Sequence, residues 1–180
     1  MRKLLPLILL CALLLCGCGE NAIESRYESF AQELNGRQDL GFTAQLRCEY
    51  PDRTVCFTLH YQEAEDGETV TVLLPENIAG IRAVRREGST SLAFEGLILD
   101  TGDLDPYGLS PMNALPLLTD TLRHGHPDSL WTEGEDTLLS LIRDDHLTVR
   151  VRFDEDMRPV QAELYSDDRL TVFCQITDWR

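Results

Sequence analysis

The stretch "GFTAQLRCEYPDRTVCFTLHYQ" (residues 41–62) decides the fold. Apolar side chains fall on alternate positions, first at Phe42, Ala44, Leu46, Cys48 and Tyr50, then at Val55, Phe57, Leu59 and Tyr61. Period two marks a strand with one buried face, and Pro51-Asp52 between the two runs is turn chemistry. Strands joined by so short a turn are antiparallel neighbours. Matching their apolar faces leaves Cys56 with Thr54, Thr58 and His60 on the polar side. Cys48 and Cys56 then point to opposite sides of the sheet, where no bridge forms without a bulge.

The alternation continues outward in both directions. Strand-like runs recur near 68–74, 79–86, 90–95 and 96–99, and again near 129–133, 137–143, 146–153, 159–165 and 169–177. Between them lie Asp66-Gly67, Glu87-Gly88-Ser89, Gly134, Asp144-Asp145, Asp154-Glu155-Asp156 and Asp167-Asp168, all turn formers. The acidic clusters therefore sit in turns. None has the ligand spacing and glycine of a calcium loop, and their charge discourages edge-to-edge pairing.

Two segments break the meander. Asn21 followed by Glu24 reads as a capping box, and Ile23, Tyr27, Phe30 and Leu34 form one apolar stripe that ends at Asn35-Gly36. Ser110-Pro111 reads as an N-cap and first-turn proline, Leu115, Leu118 and Leu122 as a second stripe, and Gly125 as its stop. Pro116 inside that stripe should kink the helix or delay its start. The expected fold class is α+β and mainly antiparallel β: about eleven strands in one curled sheet, an unfinished barrel, covered by two amphipathic helices. A sheet this wide curls, and the two helices are the candidates to cover its concave face.

The chain opens Met1-Arg2-Lys3, runs apolar over Leu4–Leu15 and turns small at Gly17. This is the charged, apolar and cleavage-site order of an export signal. Its twelve apolar residues fall short of the roughly 20 that span a bilayer. Leu15-Cys16-Gly17-Cys18 resembles the cleavage box of bacterial lipoprotein signals. That resemblance implies diacylglyceryl transfer to the Cys18 thiol, cleavage after Gly17 and a lipid anchor at the extracytoplasmic face of the cell membrane. Cys16 is no alternative target, because Leu13-Leu14-Leu15 before it offers the peptidase no small residue. The expected organisation is a signal over 1–17, an acylated N-terminus and short tether over 18–22, and a single domain over 23–180. Two acyl chains anchor stably, at about 0.8 kcal/mol per buried CH₂, so no other membrane element is needed.

Formal charge is −15, and removing Arg2 and Lys3 with the signal makes it −17. A surface so acidic argues against nucleic acid and against a grip on anionic headgroups. With Cys18 acylated, Cys48, Cys56 and Cys174 remain, an odd number for an exported chain. Cys174 alternates with Val172 and Ile176 and faces the same way as Cys48; a Cys48–Cys174 bridge and three free thiols fit the sequence equally.

"VTVLLPENIAGIRAV" (70–84), "LSPMNALPLL" (109–118) and "MRPVQAELYSDDRLTVFCQITDW" (157–179) resemble the LolA/LolB-like superfamily of lipoprotein carriers, and within it the anchored, GerS-like lipoprotein branch of spore-forming bacteria. The likeness covers nearly all of the chain after the signal as a pattern of strands, Pro/Gly breaks and helix. It implies a half-barrel with a helical lid that binds lipid or lipoprotein acyl chains and catalyses nothing. Phe42, Leu46, Phe57, Leu59 and Val72 are candidate lining residues for such a ligand; the same residues serve equally as ordinary core. A second reading keeps the fold as a platform for a cell-envelope, sporulation or germination protein. An enzyme is disfavoured: His124-Gly125-His126 has no further ligand at metal spacing, and no nucleophile elbow or phosphate loop occurs. No cofactor and no metal are expected.

Overall fold

Strands β1 (Gly41–Glu49), β2 (Thr54–Ala64) and β3 (Gly67–Leu74) realise the opening pattern, followed by a 3-10 turn (Glu76–Ile78). Next come β4 (Arg82–Arg86), β5 (Ser89–Phe94) and β6 (Leu97–Gly102). A second meander follows: β7 (His126–Glu133), β8 (Asp136–Asp144), β9 (Leu147–Phe153), β10 (Pro159–Ser166) and β11 (Arg169–Thr177). Helix α1 (Cys18–Gly36) precedes the first meander and α2 (Pro111–His124) joins the two. This computed structural model describes residues 18–86, 89–102 and 110–180. The signal segment 1–17, the turn residues Glu87-Gly88 and the loop over 103–109 lie outside the described residues.

All eleven strands form one antiparallel sheet in the order β6-β5-β4-β3-β2-β1-β11-β10-β9-β8-β7. The two meanders meet at a single central seam, where β1 pairs with β11. Strands β6 and β7 are the outer edges and do not meet each other, so the sheet curls without closing. Register follows the apolar faces. Phe42 lies opposite Tyr61, Ala44 opposite Leu59 and Leu46 opposite Phe57, as a one-sided core demands.

Local chemistry explains where the elements depart from expectation. Helix α1 begins at Cys18, not after a cap at Asn21, and residues 18–22, read as a tether, are helical. Adding residues to a formed helix is far cheaper than nucleating one, so the Asn21–Glu24 pair lies inside the helix. Ser110 caps α2 as expected, its hydroxyl accepting from the Asn113 amide at 3.3 Å. The helix runs through Pro116 without a delayed start. The run over 79–86 starts late, at Arg82, because Gly80, at φ +89°, turns the chain before β4. Glu95 and Gly96 both have positive φ, 49° and 85°, the combination of a type I′ hairpin turn, and they join β5 to β6. Strand β7 starts at His126, three residues early, with a bulge between Pro127 and Ser129. Proline and a bulge are tolerated there because β7 is an edge.

The concave side holds the core. Phe42, Ala44, Leu46, Leu59, Tyr61, Val149, Val151, Phe153, Leu164 and Val172 pack against Leu34 of α1 and Leu115, Leu118 and Leu122 of α2. Aromatic rings fasten α1 down: Phe30 meets Phe153 edge-on at 5.0 Å, and Phe42 lies between Tyr61 (5.1 Å) and Trp179 (4.8 Å). Both helices and β2 are then tied by one side chain. The Arg123 guanidinium donates to both carboxylate oxygens of Glu63 (2.6 and 2.8 Å) and to the carbonyls of Leu34 (3.3 Å) and Arg37 (3.2 Å). Leu34 lies in the last turn of α1, where carbonyls lack intrahelical partners, and Arg37 follows the helix directly; the Leu34 carbonyl also accepts from the Arg37 backbone N–H at 3.3 Å.

Cys48 and Cys56 face opposite sides as expected, Cys48 buried and Cys56 exposed, and Cys48, Cys56 and Cys174 are all free. Strands β1 and β11 do bring Cys48 and Cys174 onto one buried face, diagonally across the ladder. Burial pushes the Cys48 thiol up to about 11, with smaller contributions from Cys56 and Glu49, and raises Cys174 further.

Candidate functional site

The apolar concave face continues past the helices that cover it. Register places Val70 of β3 opposite Ala83 of β4, Ala83 opposite Leu92 of β5, and Leu92 opposite Leu99 of β6. Residues directly opposite in a ladder share a face, so this row lies wholly on the concave side. Exposure along it rises from 2% at Val70 and 5% at Ala83, through a half-buried Leu92, to 64% at Leu99. Alternation puts Phe94 and Leu97 on the same side, both exposed. Helix α2 sits over β2, β3, β8 and β10, while the flank at β5 and β6 presents leucine and phenylalanine to solvent.

The five residues selected from sequence are all on the concave side, at its covered end. Phe42, Leu46, Leu59 and Val72 are buried and Phe57 is half-buried against them. All five belong to, or pack against, one buried cluster that also holds Leu34 of α1 and Leu115, Leu118 and Leu122 of α2. Leu92, Phe94, Leu97 and Leu99, which lie at the uncovered end, were not selected. Their signal was present, since Leu97 and Leu99 alternate like any strand pair. Their exposure follows from the edge position of β6, which strand order alone defines.

Among the described residues, two of the further concavities bear on this reading. One, of about 620 Å³, runs between α1 and the β9–β10 turn and is lined by Arg26, Phe30, Arg37, Met157, Arg158 and Trp179 among others. Its arginines are largely engaged: Arg158 with Asp156 at 3.0 Å, Arg37 with Glu33 and Asp39, and Arg26 with the Glu155 carbonyl. The other, of about 510 Å³, lies against Phe173, Leu74, Pro75 and Cys56. Arg47 stacks on the Phe173 ring at 5.0 Å.

The histidine pair is separated by the structure. His124, at the end of α2, meets Asp120 at 2.9 Å, and His126 begins β7. Among the described residues, no group of three or more His, Cys, Asp or Glu is placed to hold a metal ion. No described helix is long and apolar enough to cross a membrane.

No family model matches the chain, and a comparison with curated proteins finds no match. Solved structures do share its fold. A putative outer membrane lipoprotein-sorting protein domain from Vibrio parahaemolyticus superposes with TM-score 0.50 at 10% identity, over 86% of this chain and 90% of that one. A LolA superfamily protein from Nitrosomonas europaea gives TM-score 0.46 at 13% identity, over 88% and 92%. A chain from the complex of the CwlD amidase with the GerS lipoprotein of Clostridioides difficile gives 0.47 at 11%, over 87% and 94%. The chain thus shares its fold, an open curled sheet under a helical lid, with the Vibrio parahaemolyticus domain.

Proposed function

We propose that this chain is a non-catalytic envelope lipoprotein, anchored to the extracytoplasmic face of the cell membrane by a diacylated Cys18. Its half-barrel takes lipid or lipoprotein acyl chains. The observation that carries the reading is the concave row from Val70 to Leu99, where apolar surface runs from under the lid into the open. An acyl chain entering there first meets Phe94, Leu97 and Leu99. It then reaches Phe42, Leu46, Phe57, Leu59 and Val72 by parting α2 from the sheet. Apolar contact without a fixed polar partner suits a ligand defined by its hydrocarbon. The LolA-like fold agrees with this use, and an acidic chain held by its lipid needs no basic surface to stay at the membrane.

A second reading takes the fold as a platform for an envelope, sporulation or germination protein. One observation favours it: Phe42, Leu46, Leu59 and Val72 are buried in one cluster with Leu34, Leu115, Leu118 and Leu122 of the helices, so the covered end is occupied by side chains.

Extraction of the protein from membranes followed by mass spectrometry of the organic phase separates the two. Co-purifying acyl lipid in near-stoichiometric amount is the expected result; a lipid-free protein that retains a protein partner would overturn the first reading in favour of the second. Anchoring has its own test. Cys18→Ala should move the protein from the membrane fraction to the soluble exported fraction, and its continued sedimentation with membranes would sink the lipoprotein assignment.

A further inference from the structure

The two edges of the sheet are treated differently. Edge strand β7 carries Pro127, Asp128 and Glu133, and a bulge between Pro127 and Ser129. These are the devices that keep an edge from recruiting another strand. Edge strand β6 has none of them over Leu97-Ile98-Leu99, whose exposures are 76%, 76% and 64%. Leu97 and Leu99 stand on the concave side and Ile98 on the convex side, so both faces of this edge are apolar.

The backbone of β6 is also presented for pairing. The two-residue turn Glu95-Gly96 makes Phe94 and Leu97 the closing pair, and in such a hairpin that pair exchanges both of its hydrogen bonds. Antiparallel ladders alternate, so Leu97 and Leu99 turn their N–H and C=O toward β5. Ile98 then turns both groups outward, into the open edge.

We infer that β6 pairs with β6 of a second copy of this chain, antiparallel about a two-fold axis at Ile98. The sequence is self-complementary about that point. Leu97 falls opposite the partner's Leu99, Ile98 opposite the partner's Ile98, and the two Ile98 backbones exchange the N–H and C=O that β5 leaves free. Position 100, an aspartate, falls opposite Gly96, and Glu95 opposite Thr101. No acid faces an acid, which matters between two chains each of charge −17 once Arg2 and Lys3 leave with the signal, because like charges directly opposite destabilise a ladder. An isologous contact of this kind closes on itself and uses up both edges.

The pairing also completes the concave surface. Phe94, Leu97 and Leu99 of each copy end in solvent when the chain is alone. Across the two-fold each Leu97 meets the other copy's Leu99, and with Phe94 behind Leu97 they become the floor of one continuous apolar trough shared by both half-barrels. This extends the acyl-binding reading but does not require it, since the edge argument rests on exposure, backbone direction and register alone.

Sedimentation of the exported Cys18→Ala chain over a range of concentrations tests the inference without detergent. A reversible monomer–dimer equilibrium is expected. Ile98→Pro removes only an outward N–H and spares the β5 ladder, so it should give a folded monomer by circular dichroism. Ile98→Lys should raise the dimer dissociation constant by about a hundredfold, as loss of a central apolar anchor does. If either variant proves poorly folded, Cys56→Ser combined with Ile98→Cys keeps the question open to decision. Mild oxidation should give a covalent dimer from position 98 and none from Ser129→Cys on β7 in the same background. A chain that is monomeric throughout, a dimer indifferent to both Ile98 variants, or no cross-link from position 98 would overturn the inference. So would a monomeric wild type whose Ile98 variants lose binding to lipid vesicles or to another protein. A monomer that still carries acyl lipid would leave the proposed function standing, and a lipid-free dimer would do the reverse.

Discussion

Replacing Arg123 with alanine should lower the unfolding free energy by about 3–5 kcal/mol, the range seen when one partner of a buried ion pair is removed. The side chain is mostly buried, with 14% of its surface exposed against 19% for Glu63. Its fork is bidentate on that carboxylate, the geometry in which charged hydrogen bonds are strongest. Truncation leaves Glu63 uncompensated and withdraws the donors from the Leu34 and Arg37 carbonyls at the end of α1. Arg123→Lys keeps the charge and loses the fork, so it should recover only part of the loss. Equilibrium unfolding in urea measures both. Amide exchange should show α1 opening before the sheet in the alanine variant. A cost below about 1 kcal/mol would place the pair among ordinary surface salt bridges and remove it as the tie between helices and sheet.

Phe42→Ala should cost a similar amount, about 3–5 kcal/mol, as truncation of a fully packed aromatic does. Phe42 has no exposed surface and lies between Tyr61 and Trp179. Its removal leaves a void that those two rings, held by β2 and by the chain end beyond β11, fill poorly. The measurement also bears on the ligand. A phenylalanine that merely lined an empty acyl pocket would give up little stability in the lipid-free protein, so a cost under about 1 kcal/mol would mark Phe42 as lining. A large cost would show that any ligand must part this packing to reach it.

Most of the sheet was legible in the sequence because period two is a strong signal where one face is buried. Strands β1, β2, β9, β10 and β11 fall within a residue of their expected limits, and the helical stripe of Leu115, Leu118 and Leu122 is buried as its spacing demands. Boundaries failed where the deciding term was not local. The first turn of α1 extends beyond its apparent cap, and Pro127 sits inside a strand because that strand is an edge. Composition around a proline cannot reveal which strand lies at the rim. The candidate site was legible only as to face. Alternation placed Phe42, Leu46, Leu59 and Val72 on the concave side, but where the helices stop covering that side depends on how α2 lies across the sheet. For that reason Phe94, Leu97 and Leu99 escaped a reading that had already put them in strands.

The seam between β1 and β11 has a consequence for when the molecule can fold. Residues 43–48 pair with residues 172–177, and Gly41 and Arg180 exchange backbone hydrogen bonds at 2.9 and 3.0 Å. Each meander can form from near neighbours as it is synthesised, but they become one sheet only when the last strand arrives at the middle. Such long-range pairing is slow, because the intervening chain must be ordered before the contact rewards it. During synthesis β1 therefore lacks one of its two neighbouring strands until β11 has been made. For a chain read as carrying an export signal, that delay is useful: a sheet whose central rung waits for β11 stays threadable through a translocation channel until β11 has crossed.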